Sequence, residues 1–104
     1  MSNKTLITAQ TDAVAADINT QFKVTADVPV TISSTLLAGA EQVDFTYSGD
    51  GGTTFTTATV FSTSSPLVLT ASAAQVQIVG EGIYRVAKDA TVGACAVDAS
   101  PFIQ

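Results

Sequence analysis

Few side chains in this sequence could carry out acid–base or nucleophilic chemistry. The chain has nine acidic residues, one Cys and no His, so the side chain that most often serves as a general base near neutral pH is missing. Two pairs of carboxylates lie close in sequence, Glu41 with Asp44 and Glu81 with Asp89. Glu41 and Asp44 would point to opposite faces of a strand unless a bulge intervened. We therefore predict no catalytic residue and expect that the chain is not an enzyme.

A metal or cofactor site is not predicted either. A single Cys95 can form neither a metal-binding cluster nor an internal disulfide. No segment repeats acidic side chains at the spacing that hard cations favour. Strand parity places Cys95 on the same side as Val97, which favours a small buried thiol over a nucleophile.

Arg85 is the only arginine of the chain and lies within the apolar run IYRVAK. Its planar guanidinium suits a carboxylate partner. The sequence predicts a cross-strand pair within the same chain or, alternatively, a carboxylate of another subunit. Arg85 is therefore a candidate interface residue.

Alternation of apolar and polar residues predicts the elements that would position these side chains. The clearest case is Gln42 to Ser48, where Val43, Phe45 and Tyr47 share one face. Turn residues recur every 8 to 12 residues or so, the spacing of a sandwich or small barrel. We predict an all-β, antiparallel β-sandwich or jelly-roll-like domain of about seven or eight short strands. Gly80 to Gly82 is expected to join two of them as a hairpin, with Val92 to Asp98 alongside as a meander.

The first 19 residues have weaker core patterning than the rest. Residues 1–19 are predicted to be an N-terminal arm or edge segment, and residues 20–104 a single β-sandwich domain. Leu6 and Ile7 are candidate interface residues if this arm reaches another chain. Alternatively, the segment forms an edge strand of its own domain, or a short helix over Thr11 to Ile18 capped by Asp12.

The segment SGDGGTTF, Ser48 to Phe55, resembles the Asp-box, a hairpin turn found in sialidases and in unrelated β folds. The resemblance implies a structural role away from any catalytic centre. Asp50 would accept hydrogen bonds from turn amides, Gly52 would take a positive φ, and Phe55 would enter the core. We predict that Ser48, Asp50, Gly52 and Phe55 form a structural turn.

Charge is scarce along the chain. Charged residues make up 12% against about 25% in typical domains, while 16 Thr and 9 Ser provide small hydroxyls. The net charge of −5 argues against nucleic-acid binding, and no apolar run is long enough for a spanning helix or a secretory signal. Low charge is typical of surfaces covered by other proteins. We expect a chain that forms an oligomer or assembles on partner proteins, with no membrane or nucleic-acid partner.

The run from Leu67 to Ser100, with its GEGIYRV turn and strand, is similar to the closing part of small bacteriophage capsid decoration (cement) proteins. The resemblance implies a non-enzymatic virion protein that is made in the host cytoplasm and associates into a homo-oligomer, a dimer or trimer. Such a protein would dock on the outer surface of the shell and bridge subunits of the major capsid protein. Alternatives are a phage tail or fibre component, or a carbohydrate-binding sandwich using Tyr84 or Phe102 as an exposed aromatic.

Overall fold

The computed structural model of this chain describes residues 4–25, 28–59, 66–78 and 81–101, and within these ranges the regular structure comprises nine strands and one short 3-10 helix. The predicted all-β class is confirmed. The helix spans Ile18–Thr20. The strands are β1 Lys4–Gln10, β2 Gln21–Val24, β3 Val30–Ser34, β4 Gln42–Ser48, β5 Thr56–Thr57, β6 Val68–Thr70, β7 Gln75–Ile78, β8 Gly82–Lys88 and β9 Cys95–Pro101.

The strands form two antiparallel sheets that pack as a β-sandwich. One sheet has four strands in the order β1-β9-β3-β7, and the other has five, with β2-β8-β4-β5 in line and β6 also paired with β4. Side chains alternate between core and surface along the central strands, as in β3, where Val30, Ile32 and Ser34 are buried. Because successive side chains of a strand point to opposite faces, each sheet has one inner and one outer face.

An aromatic cluster fills the centre of the core. The ring of Phe22 stacks on Tyr84 at 5.4 Å between centroids and meets Phe45 edge-on at 6.3 Å. Val43 and Val86 are fully buried beside it. These residues come from β2, β4 and β8, which explains why the alternating pattern in those segments was so clear in the sequence.

The hairpin and meander expected around Gly80 to Gly82 are wrong. β7 pairs with β3 in the four-stranded sheet, whereas β8 pairs with β2 and β4 in the five-stranded sheet. β9 then returns to the four-stranded sheet, between β1 and β3. The chain therefore crosses between the sheets at both connections, because each strand buries its apolar face against the opposite sheet. Residues 79 and 80 themselves lie outside the described residues.

Within the N-terminal segment, β1 (Lys4–Gln10) is an edge strand of its own sandwich. β1 pairs with β9, and Leu6 and Ile7 are 4% and 1% exposed within the core. A register shift between Thr5 and Ile7 accounts for the burial of two consecutive side chains, because a bulge sets two residues against one. The expectation that Leu6 and Ile7 contact another chain is therefore wrong. Residues 1–3 of the predicted arm lie outside the described ranges.

The alternative of a helix over Thr11 to Ile18 is also wrong. Val14 exchanges two backbone hydrogen bonds with Lys88, at 2.8 and 3.0 Å, which keeps the chain extended there. The 3-10 helix that does form begins later. Its cap is Asp17, whose carboxylate accepts from the Asn19 amide at 2.7 Å.

Candidate functional site

The turn that resembles an Asp-box is closed by its own side chains. Ser48 Oγ donates to Asp50 Oδ1 at 2.7 Å, and the amides of Thr53 and Thr54 donate to the same oxygen at 3.2 and 3.0 Å. The hydrogen bond from Ser48 is the main reason that the pKa of Asp50 falls to about 2. Gly52 has a φ of +97° and donates its amide to Ser48 Oγ at 2.9 Å. The carboxylate of Asp50 thus holds the turn together.

Phe55 lies in a different place from the one predicted. Its ring does not enter the core but is half-buried, with the Arg85 guanidinium carbon 4.1 Å from the ring centroid. A cation over an aromatic face at this distance is a favourable contact. Phe55 therefore connects the turn to the outer face of the five-stranded sheet rather than to the interior.

The expected ion pair of Arg85 within its own chain is wrong for the residues that the structure describes. Arg85 Nε donates to Gln21 Oε1 at 3.0 Å, and the guanidinium stacks on Phe55. Its cross-strand neighbours are Gln21 on β2 and Thr46 on β4. Register therefore gives Arg85 an amide and a hydroxyl as neighbours, where the sequence had suggested a carboxylate.

The outer face of the five-stranded sheet, the side turned away from the four-stranded sheet, surrounds Arg85 mostly with uncharged side chains, with Asp44 as an acidic residue among them. Thr46 and Thr57 continue its cross-strand row. The next row is Ala87, Asp44 and Val68. Thr46 Oγ1 is buried and has no hydrogen-bond partner among the described residues.

A second feature is an exposed apolar cluster at one end of the sandwich, which we name the Leu36–Val92 tip. It consists of the loop from Leu36 to Glu41, between β3 and β4, and the loop from Asp89 to Ala94, between β8 and β9. Leu36 is 63% exposed and Val92 is 86% exposed. Leu36 has a φ of +57°, a conformation that costs a branched side chain free energy. Exposed apolar side chains on a strained loop are typical of contact surfaces rather than of packing.

The two loops of the tip are fixed to each other by Glu41. Its carboxylate accepts from the Ala38 amide at 2.9 Å through Oε1 and from the Val92 amide at 2.8 Å through Oε2. A cleft of about 490 Å³ lies between the loops, with Asp89 as its second acidic residue. Sequence reasoning had considered Glu41 only as a possible partner of Asp44. The sequence feature that could have indicated the tip is the pair Leu36-Leu37, which lies in a loop and is followed by Ala-Gly-Ala.

Cys95 and Lys88 lie side by side in the interior without forming a reactive site. Cys95 is fully buried, and burial raises the pKa of its thiol. Lys88 is 3% exposed, and its ammonium donates to the Asp12 carbonyl at 2.7 Å and to Thr91 Oγ1 at 3.3 Å. A buried lysine held by a carbonyl serves to attach the segment around Asp12 to β8. Among the described residues, no three His, Cys, Asp or Glu side chains are grouped to hold a metal ion.

The aromatic side chain suggested for sugar binding is not at the surface. Tyr84 is 6% exposed, lies under Phe22 and contacts Tyr47 at 5.1 Å between ring centroids. The hydroxyl of Tyr47 donates to the Glu81 carbonyl at 3.3 Å. Phe102, the other residue suggested, lies outside the described ranges. The expected role of Tyr84 as a stacking platform is therefore wrong.

Together these features define a small antiparallel β-sandwich with an acidic, apolar tip and an arginine-centred outer face. Comparison of the chain with protein families, with curated proteins and with solved structures finds no match. Within the described ranges, no helix is long and apolar enough to cross a membrane.

Proposed function

We propose that this chain is a non-enzymatic structural protein of a bacteriophage virion, which decorates the outer surface of the capsid and stabilises it by bridging capsid subunits. The observation that carries the proposal is the Leu36–Val92 tip. Two large apolar side chains there are held largely in solvent by loops that Glu41 fixes in place. The sequence resemblance to decoration proteins supplies the specific partner, the major capsid protein.

The tip has the energetics that a docking element needs. Burying a Leu or Val side chain is worth about 1.5–3 kcal/mol. Because the loops are already fixed by hydrogen bonds, little conformational entropy remains to be lost on binding. One tip gives a modest affinity, but several copies on a shell, or several tips in one oligomer, multiply the effect through effective concentration.

The charges near the tip indicate which kind of protein surface would bind it. Glu41 and Asp89 line the cleft beside Leu36 and Val92, and the whole chain carries a net charge of −5. A complementary surface would combine an apolar pocket with Lys or Arg at its rim. A tail or fibre component of the virion would dock by the same chemistry. The capsid shell is proposed as the docking surface because of the sequence resemblance to decoration proteins. No described aromatic side chain favours the carbohydrate-binding alternative.

The test is binding of the purified chain to empty shells of the phage that encodes it, after those shells have been stripped of decoration. A variant with Leu36→Asn and Val92→Ser should bind about 100-fold more weakly, since about 3 kcal/mol of apolar burial is lost. Asn is chosen at position 36 because it tolerates a positive φ.

The matched control is Ile18→Ser, since Ile18 is 64% exposed but lies in the 3-10 helix rather than in the tip. Its shell occupancy should equal that of the unaltered chain. Equal binding by the tip variant would remove the tip from the docking surface. Absence of binding by the unaltered chain to shells would overturn the decoration function itself.

A further inference from the structure

Arg85 is held in an orientation that can receive a carboxylate. Its guanidinium is oriented by the Phe55 ring on one side and by Gln21 at Nε. Within the described ranges it forms no ion pair, so the terminal amino groups are left for another ligand. An arginine already fixed by stacking and by one hydrogen bond loses little rotamer freedom when it binds a carboxylate in a two-pronged manner.

Asp44 is the acidic residue that shares this outer face with Arg85. Asp44 lies opposite Ala87, and Arg85 lies opposite Thr46, so the two charges are diagonal neighbours on β4 and β8. Such diagonal positions are about 7–8 Å apart at the backbone. Asp44 is exposed, and Gln42 Nε2 donates to its Oδ1 at 2.6 Å. An unpaired cation and an unpaired anion therefore lie next to each other on one flat face.

This arrangement is self-complementary about a two-fold axis. In a two-fold interface, residue i of one copy contacts residue j of the other, and j contacts i in return. Two such faces placed together can set Arg85 of each copy against Asp44 of its partner, which forms two equivalent ion pairs. Both ion pairs use only charges that the chain itself carries.

The remainder of the face fits such a contact. Thr46, Thr57, Ala87 and Val68 around the two charges are small, and small side chains allow two sheets to approach closely. The described cation besides Arg85 on this face is Lys23, which lies on the edge strand β2. Arginine and aromatic residues are enriched at the centres of interfaces and lysine is depleted there.

We infer that the outer face of the five-stranded sheet is a self-association surface on which Arg85 of one copy pairs with Asp44 of a second copy, and the reverse. This inference rests on the proposed structural role, of which self-association is one part. The strands of this sheet, of which β4 and β8 are seven residues long and the others two to four, present roughly 360 Å² of flat area at a strand spacing of about 4.8 Å. A face of that size is smaller than the interface of a stable dimer, so a weak dimer is expected, with a Kd in the micromolar range or above.

The test is sedimentation velocity of the full chain and of charge-reversal variants over a micromolar concentration series. Asp44→Arg places a cation at both positions of the ion pair, and Arg85→Glu places an anion at both, so each variant alone should raise the dimer Kd at least about 30-fold. An equimolar mixture of the two variants restores both ion pairs. That mixture should therefore sediment as a heterodimer with close to the original Kd.

Two further measurements keep the result specific. Lys23→Glu, on the edge of the same face, should leave the dimer Kd within a few-fold of its original value. Circular dichroism and urea unfolding of each variant establish that loss of the dimer is not loss of the fold.

Three outcomes would overturn the inference. These are a monomeric unaltered chain, a dimer that survives both single reversals, and reversals that dissociate the dimer without restoration on mixing. A dimer that passes these tests but fails to bind shells would overturn only the decoration function. A monomer that does bind shells would overturn only the self-association surface.

Discussion

Substitution of Gly82 by Ala should destabilise the fold more than its small size suggests. Gly82 begins β8 with a φ of +154°, and a Cβ at that position would overlap Tyr47 Cε1 and lie 3.1 Å from Tyr47 Cδ1. A Cβ cannot overlap a ring carbon, so the Tyr47 ring or the backbone must move. The ring is not free to move without loss, because it packs on Tyr84 and its hydroxyl donates to the Glu81 carbonyl.

The magnitude follows from these contacts. A backbone conformation that favours glycine costs a side chain about 1–3 kcal/mol. Displacing the Tyr47 ring loses an aromatic contact worth about 0.5–1.5 kcal/mol and a hydrogen bond worth about as much. The sum is about 2–6 kcal/mol, a large share of the roughly 5–15 kcal/mol that stabilises a domain.

The assay is urea unfolding followed by circular dichroism at one fixed protein concentration, since any self-association shifts the apparent stability. The matched control is Gly39→Ala. Gly39 also has a positive φ, +58°, but a Cβ there meets no atom within 4 Å. Gly39→Ala should therefore destabilise the fold by about 1–2 kcal/mol, which is the contribution of the backbone conformation alone. In a chain that also carries Tyr47→Ala, the clash with the ring is absent. Gly82→Ala should then destabilise the fold by correspondingly less.

Two results would refute this reasoning. One is a loss of stability for Gly82→Ala no larger than that for Gly39→Ala. The other is an equal loss in the presence and absence of the Tyr47 ring, since the clash would then contribute nothing.

Two further predictions concern ionisable groups. The pKa of Asp50 is about 2 in the folded chain against an ordinary 3.8, so its contribution to stability is present above pH 3.8 and is lost as the pH falls through about 2. The urea midpoint should fall across this window by more for the unaltered chain than for Asp50→Asn, and equal falls would contradict the prediction. Burial raises the pKa of Cys95, so a maleimide should label the native chain far more slowly than the urea-unfolded chain. Comparable labelling rates would show that the thiol is accessible in the fold.

Interactions between residues close in sequence made part of the structure predictable from the sequence. The alternation from Gln42 to Ser48 predicted β4 with its inner and outer faces, because the pleat of a strand has a period of two residues. The turn from Ser48 to Thr54 was equally accessible, since its hydrogen bonds join residues at most four apart. Fold class and this turn therefore followed from short-range patterns.

The candidate sites depended on contacts that no short-range pattern contains. The Leu36–Val92 tip requires Glu41 to reach the Val92 amide, 51 residues away in sequence. The outer face requires Arg85 to lie opposite Gln21 and diagonal to Asp44, which is a property of strand register. Leu6 and Ile7 were placed at an interface because nothing nearby in sequence indicates that β1 pairs with β9.

What the sequence determined by itself was the class of fold, because strand pleat and turn chemistry act over a few residues. Only the tertiary structure decided which strands are neighbours. The sequence Gly80-Glu81-Gly82 is compatible both with a hairpin and with a connection between strands of opposite sheets. The crossing occurs because β7 pairs with β3 and β8 pairs with β2 and β4, and both sheets then bury their apolar faces in one core. Burial between segments distant in sequence decides such pairings, and with them the surfaces on which function depends.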